Sequence, residues 1–235
     1  LTEAERLFTS VVNIHKTRPS QMACWALLSR VHLYVGNYQE AERYANLVLA
    51  DSGSGLIDFA DLDLTNTYPF SRFNQEVIFH SAVTTPTSMT ASRLNVDTVL
   101  FDSYDDQDLR KNAFFRFASG RWGYRGSYDG SSIYFNGLTI GECYLTIAEC
   151  LVRRGEIGTA AEVLSSLLNK RGVSHGITPT LDNRHALEIV LRERRKEMVF
   201  KGVRWMDLKR LNRDRNTATV LYRHLGDDMF ELVPG

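Results

Sequence analysis

Two carboxylates four residues apart, Glu193 and Glu197, are the first feature of this 235-residue chain whose type and spacing could do chemistry. On a helix that spacing puts both on one face, near the separation a retaining glycosidase uses for its acid and nucleophile. Their neighbours argue otherwise. Arg192, Arg194, Arg195 and Lys196 complete an unbroken run of six charges with them. Nearby cations hold a carboxylate ionised, whereas a general acid needs its pKa raised. The pattern predicts structural ion pairs, with Glu193 and Glu197 bound to arginines, Asp207 capping or pairing nearby, and Trp205 packed. Asp102, Asp105, Asp106 and Asp108 invite a calcium reading, but the segment lacks the central Gly and late Glu of an EF-hand loop. Helix capping and pairing with Arg110 is the simpler account. The six histidines show no metal-ligand spacing with one another or with the cysteines. No phosphate loop, dinucleotide fingerprint or nucleophile elbow is present. No metal, cofactor or catalytic residue is predicted.

Binding chemistry is better represented. Between Phe114 and Gly137 the rings of Phe114, Phe115, Phe117, Trp122, Tyr124, Tyr128, Tyr134 and Phe135 are interspersed with Gly120, Gly123, Gly126, Gly130 and Gly137. Aromatic rings beside polar groups on irregular backbone give broad, rigid, amphipathic contact area at low entropic cost. A sugar ring needs this: a flat apolar face for its C–H groups, edged by partners for its hydroxyls. Trp122, Tyr124 and Tyr128, with Arg125 and Asp129, lie in the most glycine-dense part and are the candidate ligand contacts. The alternative is one or two β-hairpins whose alternate aromatics face the core, leaving two or three of the eight rings exposed.

Helices must position these residues. Ala4, Leu7, Phe8, Val11, Val12 and Ile14 form a helical stripe; Ser20 caps a helix from Gln21 to Val35, and another runs from Tyr38 to Ala50. Trp25, Leu28, Gly36, Tyr38, Ala41 and Leu49 fall at tetratricopeptide spacing. Tyr144, Ile147, Gly155, Ile157, Ala160 and Leu168 reproduce that spacing 119 positions further on. The chain is therefore expected to be mainly α-helical. It divides into a hairpin at 21–50, a loop- and short-strand-containing insertion at 51–138, a second hairpin at 139–171 and a helix-turn-helix at 183–213. Within the insertion, Glu76 to Val83 predicts one strand, and Val96 to Asp102 is apolar without a deciding period. The long C-terminal helix is expected to end at Lys201, with Gly202 as its left-handed cap, and the short helix after it to lay Trp205 back onto it.

Charge is balanced at 28 basic and 28 acidic residues, which argues against a nucleic-acid surface. Three cysteines make no disulfide framework. Cys143 and Cys150 stand seven apart on one predicted helix, about 10 Å along its axis, so buried inert thiols are expected. No apolar run reaches the roughly 18 residues of a membrane helix. The chain opens in a helical pattern without an initiator Met and stops in a loop-like Val233-Pro234-Gly235, which reads as a piece of a longer protein.

The run from Arg192 through Gly202 to Arg204-Trp205 and Asp207-Leu208 resembles the C-terminal signature of the SusD/RagB family. Lys201 stands where an acid is commoner. Ala26 to Tyr38, Asn74 to Phe79, Asp108 to Arg110 and Glu142 to Glu149 are similar to further family landmarks, although Thr139 sits where an Arg is usual. The resemblance implies a single, partial SusD-like domain over 1–235 with a tetratricopeptide-like scaffold. It also implies non-catalytic capture of oligosaccharide at the cell surface and delivery to a SusC-like TonB-dependent outer-membrane transporter. Anchoring would be by a lipid outside this stretch. Two rivals remain: a tetratricopeptide-like protein-interaction module and a helical glycoside hydrolase.

Overall fold

A short helix, α1 (Thr2–Leu7), precedes the first long one in the computed structural model, which describes residues 2–7, 15–51, 55–84 and 94–232. The part of the N-terminal stripe beyond Leu7 lies outside these residues. The Ser20 hydroxyl accepts the Ala23 amide at 3.1 Å and so opens α2 (Gln21–Val35). Gly36, at φ 85°, ends it, and Asn37 caps α3 (Tyr38–Leu49). After a 3-10 turn (Phe59–Asp61) come strands β1 (Val77–Phe79) and β2 (Ala82–Val83), helices α4 (Thr98–Asp102) and α5 (Leu109–Phe114), and strands β3 (Phe115–Ala118), β4 (Arg121–Tyr124), β5 (Tyr134–Phe135) and β6 (Leu138–Thr139). Helices α6 (Ile140–Arg154) and α7 (Ile157–Asn169) repeat the α2–α3 arrangement, their turn again a left-handed glycine, Gly155 at φ 89°. Helices α8 (Asn183–Glu197) and α9 (Arg204–Leu211) and a terminal hairpin of β7 (Leu221–Leu225) and β8 (Asp228–Leu232) complete the chain. The architecture is mainly helical.

Helix α6 is central. Twelve of its 15 residues are buried, and α2, α3, α7 and α8 all pack on it. Leu145, Ala148 and Val152 meet Ala45 and Val48 of α3, Ala160, Leu164 and Leu167 of α7, and Ala186 and Val190 of α8 in one aliphatic core. Cys24, Cys143 and Cys150 are buried free thiols; burial pushes the Cys150 thiol up to about 12, which keeps it protonated and inert.

The insertion holds a second, aromatic core: Phe59, Phe70, Tyr104, Phe114, Phe115, Tyr124, Tyr128 and Phe135. Its strands form two-stranded antiparallel pairs, β1–β6, β2–β5 and β3–β4. The single strand expected over 76–83 is thus two, which part at His80-Ser81 and take different partners. The Val96–Asp102 piece resolves as helix α4, capped by Asp97.

Two further expectations are corrected. Helix α8 ends at Glu197, not Lys201: Phe200 turns left-handed at φ 56° ahead of Gly202 at φ 78°. A bulky side chain in that region is strained, and the ring contacts of Phe200 offset it, stacking at 4.5 Å on Tyr124 and meeting Tyr134 at 5.4 Å. Trp205, expected to be packed, is 48% exposed. Helix α9 turns Asp207, Leu208, Arg210 and Leu211 inward, and at 3.6 residues per turn that phase carries position 205 to the outer face.

Candidate functional site

The two carboxylates with catalytic spacing are occupied. Arg110, buried between α5 and α8, donates to both Asp108 carboxylate oxygens at 2.8 and 2.7 Å and to Glu193. Arg171 donates to Glu197 at 2.9 Å and to Glu76 at 2.8 Å, and the Tyr128 hydroxyl donates to Glu76 at 2.9 Å. Burial alone would raise the Glu197 pKa; Arg171, then Lys201 and Arg110, reverse this and hold it at about 2. A carboxyl so held cannot deliver a proton near neutral pH. Lys201 is buried, its ammonium 4.0 Å from Glu197 and 4.2 Å from the Tyr128 ring centre, with no hydrogen bond. At Thr139 the buried hydroxyl is also without a hydrogen bond. A second buried network joins Arg194 to Asp207 at 2.9 Å and to Glu142 at 3.3 Å, and Arg210 to Asp207 at 2.8 Å and to Glu149 at 2.6 Å. Asp207 therefore pairs, and the aspartates near Arg110 cap and pair as well: Asp108 accepts the Arg110 amide.

The five candidate ligand contacts separate by depth. In the β3–β4 hairpin, turned by Ser119 and Gly120 at φ 52° and 76°, Phe115 faces Tyr124 and Phe117 faces Trp122. Positions two apart share a face, so one aromatic face runs from the core outward. Tyr124 and Tyr128 lie in the second core at 5% and 0% exposure and present no face to a ligand. Asp129 is buried too; its carboxylate accepts from Arg72 at 2.6 Å and from Ser131, and lies 3.0 Å from His80 Nε2. Arg125 donates to the carbonyls of Leu64, Asn66 and Asn112, tying the insertion together. Trp122 is half-buried, stacked on Phe101 at 4.2 Å and edged by Phe117 at 5.3 Å. Of the eight rings, Phe117 is exposed and Trp122 and Tyr134 are partly so.

A concave site lies beside this hairpin, and the sequence did not signal it because its key ring was expected inside. A groove of about 650 Å³ runs between the α8–α9 turn and the β2–β5 and α4 edge. Its apolar lining includes Val83, Leu100, Met198, Phe200, Val203 and Trp205; Asn136, Arg195 and Arg204 supply polar groups. Strained Phe200 and left-handed Gly202 are both part of its lining. The volume suits a ligand of a few sugar rings. Among the described residues no three His, Cys, Asp or Glu side chains gather as a metal site.

The fold has relatives. Residues 71–229 match the model of the SusD family, and the chain belongs to that family. The structure is similar to a SusD-like carbohydrate binding protein from Bacteroides vulgatus (TM-score 0.70, 21% identity, 98% of this chain and 54% of that one). It is similar also to a SusD superfamily protein from Bacteroides fragilis (TM-score 0.73, 19% identity, 100% and 57%) and to a second SusD-like protein from that organism (TM-score 0.72, 17% identity, 94% and 60%). The chain spans 54–60% of the length of these relatives. No curated protein sequence matches it.

Proposed function

We propose that the protein is a non-catalytic glycan-binding subunit that captures oligosaccharide at the outer-membrane surface. The observation that carries this is the groove itself, where the exposed Trp205 ring stands beside guanidinium and amide groups. It offers a stacking face edged by hydroxyl partners. Trp122, with Phe117 on the same hairpin face, supplies a second stacking surface, and Arg125 and Asp129 hold the hairpin and its flanking turn in place. A non-catalytic role accords with Glu193 and Glu197 being fixed in ion pairs. Family membership supports delivery of the captured sugar to a SusC-like TonB-dependent transporter and attachment through a lipid anchor. The carbohydrate-binding relative from Bacteroides vulgatus supports the ligand class.

Titration with a glycan panel, followed by Trp fluorescence and by product analysis, tests the reading. Saturable quenching without product is expected, lost in Trp205→Ala and weakened in Trp122→Ala. Hydrolysis abolished by Glu193→Gln would replace capture with catalysis.

A further inference from the structure

The groove carries more positive charge than the residues around it neutralise. Arg204 lines it, and its guanidinium makes no hydrogen bond or ion pair among the described residues. Burial first, and then the neighbouring Arg195 charge, push the Arg204 pKa down, and Asp207 opposes them without reversing the direction. The nearest carboxylate to Arg195 is Asp97, at 3.8 Å and itself 63% exposed, too distant for a direct hydrogen bond. Asp207, also on the wall, is already engaged by Arg194 and Arg210. Helix α9 starts at Arg204 with Val203 as its N-cap and no capping side chain, so its first amides and positive dipole end open on the same groove. Two buried polar atoms of lining residues, Asn136 Oδ1 and Arg194 Nη1, are without hydrogen-bond partners.

We propose that the groove selects acidic saccharides, a uronate carboxylate lying between Arg195 and Arg204 at the start of α9 while its sugar ring stacks on Trp205. This rests on the glycan-binding reading and sharpens it to a substrate class. Bidentate guanidinium–carboxylate pairing explains why arginines flank the ring. An uncapped helix start explains why the anion sits there and not further along the groove.

The test compares oligogalacturonide with the same oligomer fully methyl-esterified, which keeps the sugar rings and removes the charge. The free acid is expected to bind at least about tenfold more tightly, the low end for a charge-assisted hydrogen bond, with affinity falling as salt rises. Arg204→Gln and Arg195→Gln, each shown folded by circular dichroism, should bring the two oligomers to equal affinity. Trp205→Ala should lose both. Equal affinity of the native protein for acid and ester, or an unchanged preference in both arginine variants, overturns the acidic assignment and leaves glycan capture standing. Failure of every saccharide, acidic or neutral, to bind overturns the underlying reading instead.

Discussion

Glu197 shows how a residue that resembles catalytic machinery becomes scaffold. Its carboxylate is fully buried, takes two bonds from Arg171 Nε and another from Nη2, and has Arg110 and Lys201 at 3.6 and 4.0 Å. Replacing one member of such a cluster leaves the others buried without a counter-charge. Glu197→Gln should therefore cost about 3–5 kcal/mol, read as a lower urea midpoint at unchanged slope. A loss below about 1 kcal/mol, the range of an exposed pair, would mean that the cluster is not sealed from water. That Glu197 and Glu193 pair with arginines was legible from the charge run, which argues against an acid role, but the arginines that bind them, Arg171 and Arg110, lie outside that run. The place of Tyr128 was not. A tyrosine among glycines reads as exposed, and only the fold brings Glu76 within reach of its hydroxyl. Trp205 failed the other way. Its type predicts burial, but the phase of α9 is set by its inward-facing Asp207, Leu208 and Leu211, which only the packed fold reveals.

At the scale of elements, glycine decides where the insertion closes. Gly137 lies between β5 and β6; a Cβ there would collide with the Phe79 carbonyl oxygen and approach the Phe135 ring to 2.7 Å. Gly137→Ala should destabilise by about 1–3 kcal/mol, the usual range for overpacking, and loosen the β1–β6 pair, read as faster amide exchange at Val77 to Phe79. A thermal midpoint and exchange rates equal to those of the native protein would sink this. Gly120→Ala, where a Cβ meets nothing within 4 Å, should instead show only the cost of its positive φ. The helical hairpins were readable from their signals, since Gly36 and Gly155 end their helices where the repeated spacing puts them. The β pairings were not, because strands of two to four residues carry too little period to fix a register. The end of α8 was misread for a related reason. Local pattern favours helix through Lys201, and the stacking of Phe200 on Tyr124 and Tyr134 outweighs it.

Across the whole molecule the two buried networks meet on one helix. Glu193, Lys196 and Glu197 of α8 face Arg110 and Arg171 beside the aromatic core, while Arg194 of the same helix faces Glu142 and Asp207 beside the aliphatic one. Net charge is zero at neutral pH, so overall repulsion is absent there and the first losses on acidification trace to particular buried carboxylates. Burial alone would raise Glu142, Glu149 and Asp207; Arg30 for Glu142, Arg210 for Glu149 and Arg194 for Asp207 outweigh it, and all three are lowered, as Glu197 is. A carboxyl lowered by folding adds stability that is complete above its unfolded pKa, about 4 for these groups. That stability is lost as pH falls through the folded value, about 2 for Glu197. Stability should thus be flat from pH 7 to about 5 and fall steeply between about 4 and 2. Because α8 joins both networks, the two cores should unfold in one transition. Far-ultraviolet circular dichroism, reporting the helices, and tryptophan emission in a Trp25→Phe/Trp205→Phe background, which leaves Trp122 to report the aromatic core, are expected to coincide in an acid titration. Glu197→Gln should shift that transition and flatten its slope, having one fewer proton to take up. Separate midpoints for the two signals would show that α8 does not couple the cores, and an unchanged acid limb in Glu197→Gln would remove that residue from the acid response.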